Sequence, residues 1–182
     1  PFLGHACAAV GAGSVGRGFL KPTRMSTLSH LCLLACGVIA GSACLAQAPS
    51  GAPCGEVVTL DTRDGHTQRF TWVPPSGAAP SSPITLVLLP GGGGHLDLDA
   101  QGCARKLAGN SLVRSIPLFS AAGFHTALVD APSDFHGEDG LGGFRTDARH
   151  AQDLGQVIAG LRTRTRGTVW VVGTSRGAIS AA

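Results

Sequence analysis

From residue 56 onward the spacing of apolar positions changes along the chain, and each change marks an element. Val57-Val-Thr-Leu60 and Thr67-Gln-Arg-Phe-Thr-Trp-Val73 flank Asp61-Thr-Arg-Asp-Gly65. Phe70 and Trp72 alternate with Arg69 and Thr71, a period of two that predicts an antiparallel hairpin with one buried face. After Pro83 the alternation gives way to nearly continuous apolar runs, Ile84-Thr-Leu-Val-Leu-Leu89 and Thr168-Val-Trp-Val-Val172, with a shorter run at Thr126-Ala-Leu-Val129. Such runs are expected of parallel strands covered on both faces by helices. Ser111 to Ala122 reads as one such helix, and Arg145 to Arg162 as a second. On the second, Ala148, Ala151, Leu154, Val157, Ile158 and Leu161 form one stripe, with Arg149 and Asp153 as an i,i+4 pair on the opposite side. Residues 49–55 and 74–83 are rich in Pro, Gly, Ser and Ala and read as a tail and a loop. The order β-β-β-α-β-α-β predicts an α/β fold with a mostly parallel sheet and an N-terminal antiparallel hairpin.

The first 48 residues follow another pattern. The only methionine is Met25, and the apolar run Leu31 to Ala40 is followed by Gly-Ser-Ala-Cys-Leu-Ala-Gln-Ala48. A run this short falls below the roughly 20 residues of a membrane span but suits the core of a secretory signal. Residues 1–24 are therefore read as an upstream leader, untranslated or supplying the signal's basic region, and residues 25–48 as a signal peptide. Lys21 and Arg24 precede Met25, which points to a start at Val15 or Leu20. Residues 49–182 remain for the folded domain, secreted or periplasmic, with membrane contact only in transit. Lipoprotein anchoring is disfavoured, because Gly41-Ser-Ala-Cys44 lacks the large aliphatic residue and Leu33-Leu-Ala-Cys36 falls too early. Gly11-Ala-Gly-Ser-Val-Gly16 matches a dinucleotide fingerprint in form, but Pro22 interrupts the following helix and no acid appears before Glu56.

Composition narrows the partners. Hydrophobic residues make up 43% and charged ones 14%, which excludes a disordered chain. Arg17, Lys21 and Arg24 are the only charged residues before Glu56, so the rest of the 14 basic side chains balance the 11 acidic ones. A neutral domain offers no electrostatic footprint for nucleic acid. Four of the six cysteines lie in the leader, leaving Cys54 and Cys103. In an exported chain this pair favours a disulfide over two buried thiols.

Two segments carry candidate chemistry. Gly173-Thr-Ser175-Arg176-Gly177 follows the last buried strand and precedes small residues able to open a helix. A serine on so sharp a strand-to-helix turn needs small residues two positions either side, and the turn lifts its Oγ above the sheet edge. The strand at Ile84–Leu89 ends in Pro90-Gly-Gly-Gly-Gly-His95, a loop whose backbone N–H groups can meet a tetrahedral oxyanion. With these two motifs in this order, residues 56 to 182 resemble the N-terminal half of an α/β hydrolase of the esterase, lipase and dienelactone-hydrolase kind. The resemblance implies Ser175 as nucleophile and an oxyanion hole from Arg176 and the glycine loop, Gly92 foremost and Gly93 beside it. It also implies Gly173 and Gly177 as the elbow glycines, a small-molecule ester as substrate, and no cofactor or metal.

The chain departs from the family in placing its histidine after the glycines and an arginine after the serine. The family's later acid and histidine have no counterpart among the residues that follow Ser175. The expectation is an enzyme inactive in this portion alone. A secreted binding module of the same fold is the alternative, and the oligomeric state stays open. Asp130, at the end of its strand, reads equally as a site acid or a turn cap. His95 is expected to shape the loop or touch substrate, His150 to lie on a polar helix face, and His95-Leu-Asp97-Leu-Asp99 to be a solvated loop rather than a metal site.

Overall fold

The structure is a computed structural model and describes residues 52–77 and 81–182. The readings made for the leader, the signal peptide, the lipobox and the Gly11–Gly16 motif lie outside the described residues. Among the described residues, no helix is long and apolar enough to cross a membrane.

Five strands, β1 (Glu56–Asp61), β2 (Thr67–Val73), β3 (Ile84–Leu89), β4 (His125–Val129) and β5 (Thr168–Gly173), form one sheet in the order β1-β2-β4-β3-β5. The β1–β2 and β2–β4 pairs are antiparallel, and β4, β3 and β5 run parallel. This is the mostly parallel α/β sheet with a leading hairpin that the hydrophobic pattern anticipates. Helix α1 (Ser111–Ala121) links β3 to β4, and α2 (Ala148–Thr165) links β4 back across β3 to β5. The two crossovers step in opposite directions, so with the usual right-handed connection their helices cover opposite faces. The strand side chains divide to match. Val87, Leu89, Ala127, Val129, Phe70 and Trp72 pack with Leu154, Val157 and Leu161 of α2. Leu86, Leu88 and Leu128 pack with Leu112 of α1 and with Leu96 and Leu98 of the loop after β3.

Several local expectations change in the fold. Strand β2 is buried on both faces, because it lies between β1 and β4 and the loop after β3 covers its second face; Thr71 Oγ1 donates to Gly102 O at 2.8 Å. The second helix begins at Ala148 rather than Arg145, since the Asp147 carboxylate caps it by accepting from Arg149 N at 2.9 Å. It runs on to Thr165 and ends at Arg166 in a left-handed conformation. Ala148 and Ala151 are exposed, so the buried stripe is narrower than the spacing suggests. Arg149 pairs with Asp147, not with Asp153. Asp153 is instead fully buried and takes its cation, Arg63 Nε at 3.0 Å, from the β1–β2 turn. His150, expected on a polar face, is also buried. On β5, expected to be buried on both faces, Trp170 is 56% exposed and Val171 37% exposed, because β5 is the outer strand beyond β3.

Candidate active site

The C-terminal ends of β3 and β5 lie side by side, with Leu89 opposite Gly173. In open parallel sheets ligands gather at this edge. The turn Thr174-Ser175-Arg176 joins β5 to the short helix α3 (Gly177–Ala181) and is closed by Gly177 N donating to Thr174 O at 2.8 Å. Thr174 N donates to Leu89 O at 3.3 Å, which ties the turn to the end of β3. Ser175 has φ 50, a left-handed backbone that a residue with a side chain adopts at a cost of about 1–3 kcal/mol. Both flanking glycines have a steric reason. A Cβ on Gly173 would lie 2.3 Å from Gly177 O, and one on Gly177 would lie 2.0 Å from Leu89 O. The side chain of Ser175 is left exposed on the tip of this turn.

The glycine loop faces it. A Cβ on Gly91 would come within 2.9 Å of Ser175 Cβ and 3.5 Å of its Oγ, so only a glycine allows the loop this close to the hydroxyl. Gly92 and Gly94 have φ of +61 and +75. Gly94 N donates to Gly91 O at 3.3 Å. Among the described residues the N–H groups of Gly92, Gly93 and Arg176 donate to no protein acceptor. The loop is packed from behind by residues 139–145: Leu141 N donates to Gly93 O at 2.7 Å, and a Cβ on Gly140 would meet Gly93 O at 2.2 Å.

The remaining titratable candidates take structural positions. Asp130 holds the loop after β3: its carboxylate accepts from Leu96 N at 2.6 Å, Leu98 N at 3.3 Å and Ala131 N at 2.8 Å. That makes it a turn anchor, the second of its two readings. Leu96 and Leu98 are buried beneath this loop and Asp99 accepts from Gln101 N and Cys103 N, so the segment expected to be solvated is packed and internally bonded. His95 stacks on His136, their ring centroids 4.3 Å apart and their planes 4° from parallel. Burial holds the His95 imidazole below its ordinary range, against the pull of Asp130. His125 stacks on Trp72 and is likewise lowered by burial, then by Arg164.

His95, Asp130 and His136 bring ligand-type atoms within 4.8 Å of one another. An imidazole lone pair lies in its ring plane, and two stacked parallel planes share no point where one ion could sit. The Lys106 ammonium, 3.4 Å from His95 Nδ1, further opposes a cation there. In this arrangement the three residues do not form a metal centre.

Sequence reasoning missed the group beneath the glycine loop. The Arg145 guanidinium donates to Gly92 O at 3.1 Å, Pro90 O at 3.3 Å and Ser180 Oγ at 2.7 Å. Ser180 is also hydrogen-bonded to His150 Nε2 at 2.9 Å. Burial first, then Arg145 and Arg63, push His150 down to about 4. No local motif marks these residues, because Arg145 reads as one more polar position on an amphipathic stretch. Farther away, Cys54 and Cys103 are joined by a disulfide with their Cα atoms 5.0 Å apart. It ties the strand of residues before β1 to the loop after β3, where Cys54 N donates to Gln101 O at 2.9 Å.

The chain matches no protein-family model and no curated protein. Among solved structures it is similar to an α/β serine hydrolase without a lid from Xanthomonas campestris, at 18% identity and a TM-score of 0.48 over 68% of this chain and 52% of that one. An α/β serine hydrolase homologue from Coxiella burnetii is similar at 15% identity and a TM-score of 0.45, over 69% and 54% of the two chains. DcsB, solved in complex with its substrate analogue, follows at 17% identity and 0.41, over 69% and 39%. The chain thus spans about half the length of the first two. The chemistry of the site rests on its own geometry. That geometry is an exposed serine in a left-handed turn between two obligate glycines, facing a loop and a helix start with undonated N–H groups.

Proposed function

We propose that this chain supplies the nucleophile and oxyanion hole of an exported serine hydrolase of the α/β type. Ser175 Oγ attacks the carbonyl carbon of a carboxylic ester, the alkoxide leaves with a proton, and an acyl-enzyme forms that water hydrolyses. The tetrahedral oxygen is held by Arg176 N–H together with Gly92 or Gly93 N–H. The observation that carries this reading is Ser175 at φ 50 with the Gly91–Gly94 loop against it. A serine nucleophile also needs a base oriented by a third group. Among the described residues no histidine or carboxylate hydrogen-bonds Ser175, so the reading requires a base and its acid from outside the described residues. The Cys54–Cys103 disulfide supports export, since such bonds persist in oxidising compartments.

A fluorophosphonate probe tests the proposal on the full-length protein. Labelling that maps to Ser175 and vanishes in S175A supports it. If a full-length protein with an acid and a histidine after the elbow stays unlabelled, the chain is a non-catalytic binding module on a hydrolase-like fold.

A further inference from the structure

Arg145 is only 6% exposed, and among the described residues no carboxylate lies within salt-bridge distance of it. A buried cation without a counter-ion is costly and calls for another use. Its hydrogen bonds show where that use lies. One terminal nitrogen, Nη2, donates to the carbonyls of Pro90 and Gly92 in the glycine loop, and the other, Nη1, donates to Ser180 on α3, five positions after Ser175. A single rigid fork therefore spans the loop on the β3 side and the helix on the β5 side of the site. A Cβ on Gly94 would lie 2.7 Å from Nη2, so the glycine there leaves room for the guanidinium to come under the loop.

We infer that Arg145 is the positioning residue of the oxyanion hole, and that Gly93 is the loop donor it aims. In a trans peptide the C=O of one residue and the N–H of the next point in opposite directions within one plane. Arg145 pins the Gly92 carbonyl inward, so the Gly93 N–H of the same peptide is turned outward, and it has no protein acceptor among the described residues. The uncompensated guanidinium also sits on the carbonyl side of that peptide. There it draws electron density from the amide and adds positive potential behind the oxygen that becomes negative in the transition state. Ser180, itself bonded to His150, holds the other end of the fork in place. This inference rests on the proposed reading of Ser175.

The test compares R145K, R145M and S180A with the parent in the full-length protein. The readouts are the second-order rate of fluorophosphonate labelling at Ser175, and kcat and KM on a p-nitrophenyl ester. R145M is expected to lower labelling and kcat by about 10²-fold, the scale of losing one oxyanion donor, with KM little changed. R145K should recover part of this, because an ammonium reaches one carbonyl but not two as a fork. S180A removes one of the guanidinium's three hydrogen bonds, together with the bond to His150, and leaves the guanidinium, so it should slow labelling less, and it keeps the test open if R145M does not fold. Folded Arg145 variants that label as fast as the parent, or a loss confined to KM, overturn the inference. A parent that never labels overturns the hydrolase reading instead.

Discussion

Replacing Gly177 with alanine should separate the rate of the site from the stability of the fold. The added Cβ would stand 2.0 Å from Leu89 O and 2.9 Å from both Leu89 C and Pro90 O. All three are backbone atoms at the end of β3, the strand between β4 and β5, so they have little freedom to give way. To reach an ordinary non-bonded separation the first turn of α3 must withdraw by roughly 1.5–2 Å. Overpacking of this kind costs about 1–3 kcal/mol, offset by about 1 kcal/mol because alanine favours the helix over glycine. The net loss of stability is therefore modest. The loss in rate is not, because the same movement carries the Arg176 N–H and Ser175 away from the glycine loop. A misplacement of about 1 Å at reacting groups costs on the order of 10²-fold. Urea denaturation and the fluorophosphonate labelling rate of full-length G177A, beside parent and G109A, check both parts. Gly109 has no atom within 4 Å of an added Cβ, so G109A should match the parent in both. A G177A protein that labels at the parent's rate would refute the steric account of the elbow.

Three further outcomes follow from other parts of the fold. R63M strips the buried Asp153 of its cation and should destabilise the protein by about 3–5 kcal/mol in urea, whereas R63M/D153L should recover most of the loss; equal melting of the two variants would count against this account. His150, ordinarily titrating near 6.5, is held down to about 4, so below its ordinary range the unfolded chain binds a proton that the folded chain refuses. Its contribution is thus fully present above about 6.5 and is lost as pH falls toward 4; the stability gap between parent and H150N should narrow over that window, and a constant gap would contradict the burial argument. Reducing the Cys54–Cys103 bond, which closes a sequence separation of 49, should cost up to about 4 kcal/mol in the chain-entropy model, read as the shift in urea midpoint with and without reductant.

The hydrophobic pattern placed all five strands and both long helices, because period depends only on how a local segment meets a core. It missed which faces other elements cover. Thr71 looks solvent-facing on a two-residue alternation, yet it is buried, since the loop after β3 closes over it. Trp170 and Val171 err the other way, apolar in sequence and exposed on the outer strand. The i,i+4 rule offered Arg149 to Asp153, but a partner reached through 90 positions of chain, Arg63, holds that carboxylate.

What the sequence by itself determined is therefore local: the α/β alternation, the sharp turns, and the two glycine-bearing loops at strand ends where small residues are needed. Only the tertiary structure decided that Asp130 anchors a loop, that His95 stacks on His136, and that Arg145 lies beneath the glycine loop with Ser180 and His150 behind it. The reason is physical. Backbone turns and side-chain period are set by neighbours within a few residues. The partner of a buried charge is set by which chain segments cross at one point, and no local spacing records that crossing.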